Sequence, residues 1–164
     1  MPRPPLRSLV SICAALGGAA IQAGATAAEF SPQVWLNPGI YSFHFNRNTD
    51  HRENNIGIGA EVLVTDDHAL MVGSFINSDR QRSEYGLYQW RPLHWQLSFA
   101  KVSAGIAVGA FDGYPKYHNG GWFAAALPLL AVEGDRLGVN LAVIPNLSNR
   151  LSGAVAIQVK LRVW

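Results

Sequence analysis

The residues of this chain best suited to chemistry are a histidine and a serine, each at the end of an alternating run. His44 ends a run in which Tyr41, Phe43 and Phe45 alternate with Ser42, His44 and Asn46. Ser78 follows Asn77 at the end of a second run, Met71 to Ile76. An imidazole beside a hydroxyl suits acyl chemistry, because the ring accepts the hydroxyl proton while the oxygen bonds to an acyl carbon. A histidine in a polar loop is more often merely solvated, and a serine in a turn more often caps it. The pairing therefore gains meaning only if the fold brings the two segments to one place.

The periodicity supplies such a fold. Met71 to Leu93 reads as a hairpin: Met71, Gly73 and Phe75 alternate with Val72, Ser74 and Ile76, and Tyr85, Leu87 and Gln89 alternate with Gly86, Tyr88 and Trp90, across a polar loop from Asn77 to Glu84. The same pattern recurs along the chain. Strands are expected at Ile40–Asn46, Asn55–Leu63, the two arms of the hairpin, about Leu97–Ala110, Trp122–Val132, Leu137–Ile144 and Leu151–Trp164. Arg91–Gln96 and Glu133–Arg136 read as turns, and Ala28–Gly39, with Pro32 and Pro38, as a lead-in. No segment carries a convincing helical period.

The expected fold is therefore all-β: an eight-stranded antiparallel up-and-down transmembrane β-barrel following a cleaved signal peptide. Closure leaves no unpaired edge, which lipid requires. Val155, Ile157, Val159, Leu161 and Val163 are expected to face lipid, with Gln158, Lys160 and Arg162 towards the lumen. Tyr41, Trp90, Trp122 and Trp164 fit interfacial girdles. A soluble lipocalin-type barrel is the main rival and would turn its apolar face inward.

Residues 1–28 have the form of a secretory signal: Arg3 and Arg7, an apolar stretch from Leu9 to Ile21, and small residues at Ala25–Ala28. The domain expected to fold is then 29–164. Cys13 follows Ile12, which does not suit a lipid-modified cysteine, so no thiol chemistry is expected in the mature chain. Eleven basic residues then face eleven acidic ones without a basic stripe, which argues against a nucleic-acid partner. His51, His68, His94 and His118 lack metal-ligand spacing, and Gly57-x-Gly59 and Gly105-x-x-x-Gly109 read as strand glycines, so neither metal nor cofactor is expected.

In an up-and-down barrel whose short turns are periplasmic, His44 and Asn77–Ser78–Asp79 both arrive at the outer rim. Asp112 and His118 lie in the third outer loop, and Asn146, Ser148 and Asn149 in the fourth.

On these residues the chain resembles the lipid A palmitoyltransferase (PagP) family. Ser42-Phe43-His44 is similar to the family's aromatic-His element, and Ser74-Phe75-Ile76-Asn77-Ser78 to its Phe-x-Asp-Ser element. Tyr85 to Leu93 resembles its strand ending Trp-Arg-Pro-Leu. Leu127-Pro128-Leu129-Leu130-Ala131-Val132 and Val143-Ile144-Pro145 resemble its proline segments. The resemblance implies a monomeric outer-membrane barrel of a Gram-negative-type cell. It would move an acyl chain from phospholipid to lipid A, or bind these lipids. His44, Ser78 and Asn77 would occupy the catalytic positions, and Arg47, Arg80 and Arg82, with Arg52, would face lipid A phosphates. Pro128 and Pro145 would admit lipid through the wall, although an ordinary bulge or strand end explains Pro145 equally simply and Pro128 less so. Two departures stand out. Asn77 replaces the family's Asp and cannot take a proton, though Asp79 is close by. The family's helix before strand one has only about eleven residues available here, two of them proline. A non-catalytic barrel and a lipid A deacylase using His and Ser remain alternative readings.

Overall fold

A computed structural model describes residues 30–147 and 151–164. The expected signal peptide, and Ser148 and Asn149 of the fourth loop, lie outside the described residues. The strands are β1 (Gln33–His44), β2 (Asn54–Leu63), β3 (His68–Ile76), β4 (Arg82–Gln96), β5 (Lys101–Phe111), β6 (Phe123–Glu133), β7 (Leu137–Ile144) and β8 (Ala154–Arg162). Each pairs antiparallel with its sequence neighbours, and β1 pairs with β8 to close the barrel. Among the described residues the only helical element is a 3₁₀ turn at His118–Gly120.

The turns at 64–67, 97–100 and 134–136 gather at one end of the barrel, here the base. The loops at 45–53, 77–81 and 112–122, with residues 145–147 and 151–153, gather at the other, the mouth.

Several strands depart from the sequence expectation, each for a local reason. β1 begins at Gln33, so most of the expected lead-in is strand. Pro38 is carried in a register shift between Asn37 and Gly39. Gly39 has φ +128°, and a Cβ there would lie 2.3 Å from the Asn55 carbonyl oxygen, so only glycine fits. Arg91–Gln96 is the second half of β4, not a turn. Between Trp90 and Leu93 two residues, Arg91 and Pro92, oppose the single Gly105 of β5. A bulge is where a strand tolerates a residue without an N–H. A Cβ on Gly105 would meet the Trp90 carbonyl at 1.9 Å. β5 consequently starts at Lys101. Glu133 ends β6 rather than opening a turn, and β8 starts at Ala154, with Leu151 bridged to Leu147.

The two faces of the wall are sharply different. Outside lies a belt of exposed aliphatics, including Ile56, Ile58, Leu70, Val72, Ile106, Val159 and Leu161. Tyr41, Phe43, Phe45 and Trp122 border it at the mouth, and Trp90, Trp95, Phe99 and Trp164 at the base. Inside, the base half is polar. Glu61, Arg91, Glu133 and Lys160 are all buried. Lys160 Nζ bonds Glu61 at 2.5 Å and Glu133 at 2.6 Å, and Arg91 bonds Glu133 at 2.9 Å. Two acids and two bases cancel, which is what allows four charges in a solid interior. Gln89, Asn140 and Gln158 extend the network upward to Tyr85. Above it Met71, Phe75, Leu87 and Leu129 make an apolar cluster, with Ile40, Phe111 and Ala142 against it.

Candidate functional site

The site is the mouth. Alternation along β1 turns Tyr41 and Phe43 outward and Ser42 and His44 inward, where both are buried. His44 and Ser78 line one open cavity of about 460 Å³, together with Ser42, His51, Asp79, Tyr114, Lys116 and Asn146. Two of the residues singled out for acyl chemistry are thus brought together from β1 and the second loop. His118 does not line this cavity. Asp112 serves the scaffold: its carboxylate accepts the Glu84 backbone N–H and its carbonyl the Ser83 hydroxyl.

His44 is backed by a residue outside the expected set. The His51 ring stacks on it, with centroids 4.7 Å apart and planes 22° from parallel. His51 in turn has its Nδ1 3.7 Å from a carboxylate oxygen of Asp79. The order along the cavity wall is therefore His44, His51, Asp79. The acid beside His51 is Asp79, one residue past Ser78.

Asn77 occupies a different role from the acid it replaces in the resembled family. Its amide nitrogen donates to Ser83 Oγ at 2.9 Å and to the Gly113 carbonyl at 2.7 Å. Its oxygen accepts from the backbone N–H groups of Asp79 and Gln81. All its hydrogen bonds go to the second loop, β4 and the third loop, and none goes to His44. An aspartate would have no N–H to donate to Gly113 or Ser83, so the amide suits this clamp.

The arginines at the rim carry carboxylate partners. Arg47 pairs with Glu53, Arg80 with Asp50 at 3.0 Å, and Arg82 reaches Glu84 at 3.7 Å. Arg52 donates to the Asn54 carbonyl. The Tyr41 hydroxyl donates to Glu53 at 2.8 Å. That hydrogen bond, and then Arg47, hold the Glu53 carboxyl below its ordinary range. Tyr114, in the third loop, is pushed the other way. Burial, and then the charge of Asp79, raise its phenol well above the usual tyrosine value, so it stays a neutral donor.

Beneath the mouth lies a narrower apolar slot of about 70 Å³, lined by Phe75, Leu87, Leu127, Leu129 and Ala142 among others. Ser42, Tyr114 and Ile144 border both spaces. Ala107 faces inward on β5 and packs in one cluster with Met71, Leu87 and Leu129. The slot is floored by the Tyr85–Gln158 hydrogen bond and the charged network.

The wall beside the slot has a seam. β6 and β7 pair only from Leu129↔Ala142 to Glu133↔Gly138. From Phe123 to Pro128, β6 has partners on β5 alone, and Val143 and Ile144 of β7 have partners on β8 alone. Pro128 is the first residue beyond the paired stretch, where its missing N–H costs no ladder bond. Pro145 follows the last residue of β7.

His51 and Asn55 are the mouth residues that sequence reasoning passed over. His51 carries no local signal, since its meaning comes from stacking on His44 across a loop. No protein-family model matches this sequence, and no curated protein matches it.

Proposed function

We propose that this barrel spans an outer membrane and works at its mouth on the acyl ester of a lipid, in the manner of the lipid A palmitoyltransferases it resembles. The supporting observation is the coincidence of three features: buried His44 with Ser78 on one cavity, an apolar slot directly below, and a wall seam at Pro128 beside that slot.

The membrane part of this reading rests on the inverted distribution of polarity. A soluble barrel hides its apolar face, whereas here the charges are inside and Ile56, Ile58, Val72 and Val159 are outside, between two aromatic borders. Every strand but the eight-residue β7 has 9 to 15 residues, the length a tilted strand needs to cross.

In the reaction, the donor is a phospholipid whose acyl chain enters by the seam, and the acceptor is a lipid A hydroxyl. His44 takes the proton of the acceptor hydroxyl, and the oxygen bonds to the ester carbon. The carbon–oxygen bond to the lysophospholipid then breaks, and the leaving oxygen receives the proton from His44. Ser78 is a polar partner in the same cavity, and Asp79 orients the histidines through His51. The rim arginines Arg47, Arg80 and Arg82 meet lipid phosphates by exchanging their present carboxylate partners.

Expression in cells that lack their own palmitoyltransferase, followed by mass spectrometry of lipid A, tests the function. A gain of one acyl chain, lost in His44→Ala, is expected. A loss of one chain would instead mark a deacylase. Unchanged lipid A, with the protein folded in the outer membrane, would leave a non-catalytic barrel.

A further inference from the structure

The lumen changes chemistry at one level, and Ser42 sits on the boundary. It borders the polar mouth above and the apolar slot below. Its Oγ accepts a 2.8 Å hydrogen bond from Nδ2 of Asn55 on the neighbouring strand. Both side chains are deeply buried, 5% and 1% exposed. Because Ser42 uses its acceptor side on Asn55, its own proton is left to donate. Two further groups here have no hydrogen-bond partner: the Asn55 amide oxygen and Nδ1 of His44, one pleat nearer the mouth on the same inner face as Ser42. Of these groups the Ser42 hydroxyl and, when it carries the ring proton, His44 Nδ1 can donate to a ligand that enters the cavity, whereas the Asn55 oxygen can only accept.

The position restricts what that is. A ligand reaching this level has an apolar slot in front of it and a polar cavity behind. Its polar group must therefore sit at the junction between a hydrocarbon tail and a hydrated head. An ester carbonyl has this placement in an acyl lipid and accepts hydrogen bonds without donating any. We propose that Ser42, held by Asn55, forms with His44 a polar collar that receives the ester carbonyl of a lipid whose chain enters the slot. The proposal rests on the acyl-ester reading of the mouth and adds the recognition of the ester itself. Ser42 is a positioning residue: it donates to the carbonyl, and Asn55 fixes the rotamer from which it does so.

The test compares an ester with its ether. The full-length mature barrel in detergent is titrated with 1-lauroyl-lysophosphatidylcholine and with the ether analogue that lacks the carbonyl. The wild type should prefer the ester by about tenfold, the worth of one hydrogen bond. Ser42→Ala should bring the two within about twofold by weakening the ester alone, and Ser42→Thr should restore the difference. Ser42→Cys, close in shape and a poor donor, gives the same comparison if Ser42→Ala does not fold. Equal binding of ester and ether by the wild type, no binding of either, or an ester preference that survives Ser42→Ala overturns the collar. The same variants are scored on lipid A. An ester preference lost in Ser42→Ala, with lipid A never modified, keeps the collar and removes acyl transfer. Lipid A modified equally by wild type and Ser42→Ala, without ester preference, keeps the transfer and removes the collar.

Discussion

The two halves of the lumen differ in what lies beside their buried polar groups. At the base, Glu61, Arg91, Glu133 and Lys160 neutralise one another within 2.5 to 3.8 Å, and little space remains between them. At the mouth, His44, Ser42 and Asn55 are just as buried, yet His44 Nδ1 and the Asn55 oxygen have no partner and a cavity of about 460 Å³ stands beside them. Both halves leave buried polar atoms without a partner, among them atoms of Asn37, Gln89, Arg91, Ser103 and Asn140 below the mouth, but only at the mouth do they stand beside a cavity of this size. A charged residue deep in a barrel is therefore no guide to a site here. The groups that matter are those whose leftover hydrogen-bonding capacity faces an open cavity.

The comparison is most directly broken by truncating one buried polar side chain in each half. Glu61→Ala leaves Lys160 with Glu133 as its one remaining carboxylate, which Arg91 shares, and so leaves a positive charge uncompensated in the interior. The expected loss of stability is about 3–5 kcal/mol, read as the urea midpoint of the barrel refolded in lipid vesicles. His44→Ala at the mouth should shift that midpoint far less, because His44 Nδ1 has no bond to lose. Equal losses would mean that the mouth is built for stability as much as the base is.

A second test addresses the outer face that both halves share. Val159 lies outside on β8 between inward-facing Gln158 and Lys160. Val159→Arg should cost about 2–4 kcal/mol in vesicles if this position is near mid-bilayer. An unchanged midpoint in vesicles would contradict the lipid-facing assignment of the belt.

Much of this architecture was legible in period-2 patterning. β7 falls on Leu137–Ile144 as expected, the faces of β1 and β8 alternate as read, and the eight-stranded closed barrel follows from their number. What misled was proline. Arg91-Pro92 reads as a turn, but the bulge opposite Gly105 carries it within β4, and Pro38 is carried within β1 by a register shift at Gly39. A bulge depends on the residue across the ladder, which local sequence does not identify. The same limit applies to the site. His44 and Ser42 share a face by alternation alone. Asn55 joins Ser42 only through the register of β1 on β2, and His51 joins His44 only through the path of a loop. Glu133 looked like a turn residue because its partners, Arg91 and Lys160, lie 42 and 27 positions away.

The smallest effect expected is a pH dependence confined to the mouth. Glu53 lies in the first loop, where it accepts from Tyr41 and pairs with Arg47. The Tyr41 hydrogen bond and the Arg47 charge lower its pKa in the folded protein. A carboxylate with a depressed folded pKa binds protons less readily when folded than when unfolded. Its contribution is therefore complete above the ordinary carboxylate value of about 4.3 and is lost as pH falls through the lower folded value. The group is exposed, so solvent screening keeps the effect slight. The measurement is the melting temperature of wild type against Glu53→Gln, titrated from neutral pH downward. The wild type should be the more stable at neutral pH, and the gap should close below the ordinary carboxylate range. A gap that stays constant through that range would show that the Tyr41–Glu53–Arg47 contact adds nothing to the mouth. The loop carrying His51 would then be held by its other ties, among them the Arg80–Asp50 pair and the backbone bonds from Ser42 N–H to the Glu53 carbonyl and from Arg52 N–H to the Ser78 carbonyl.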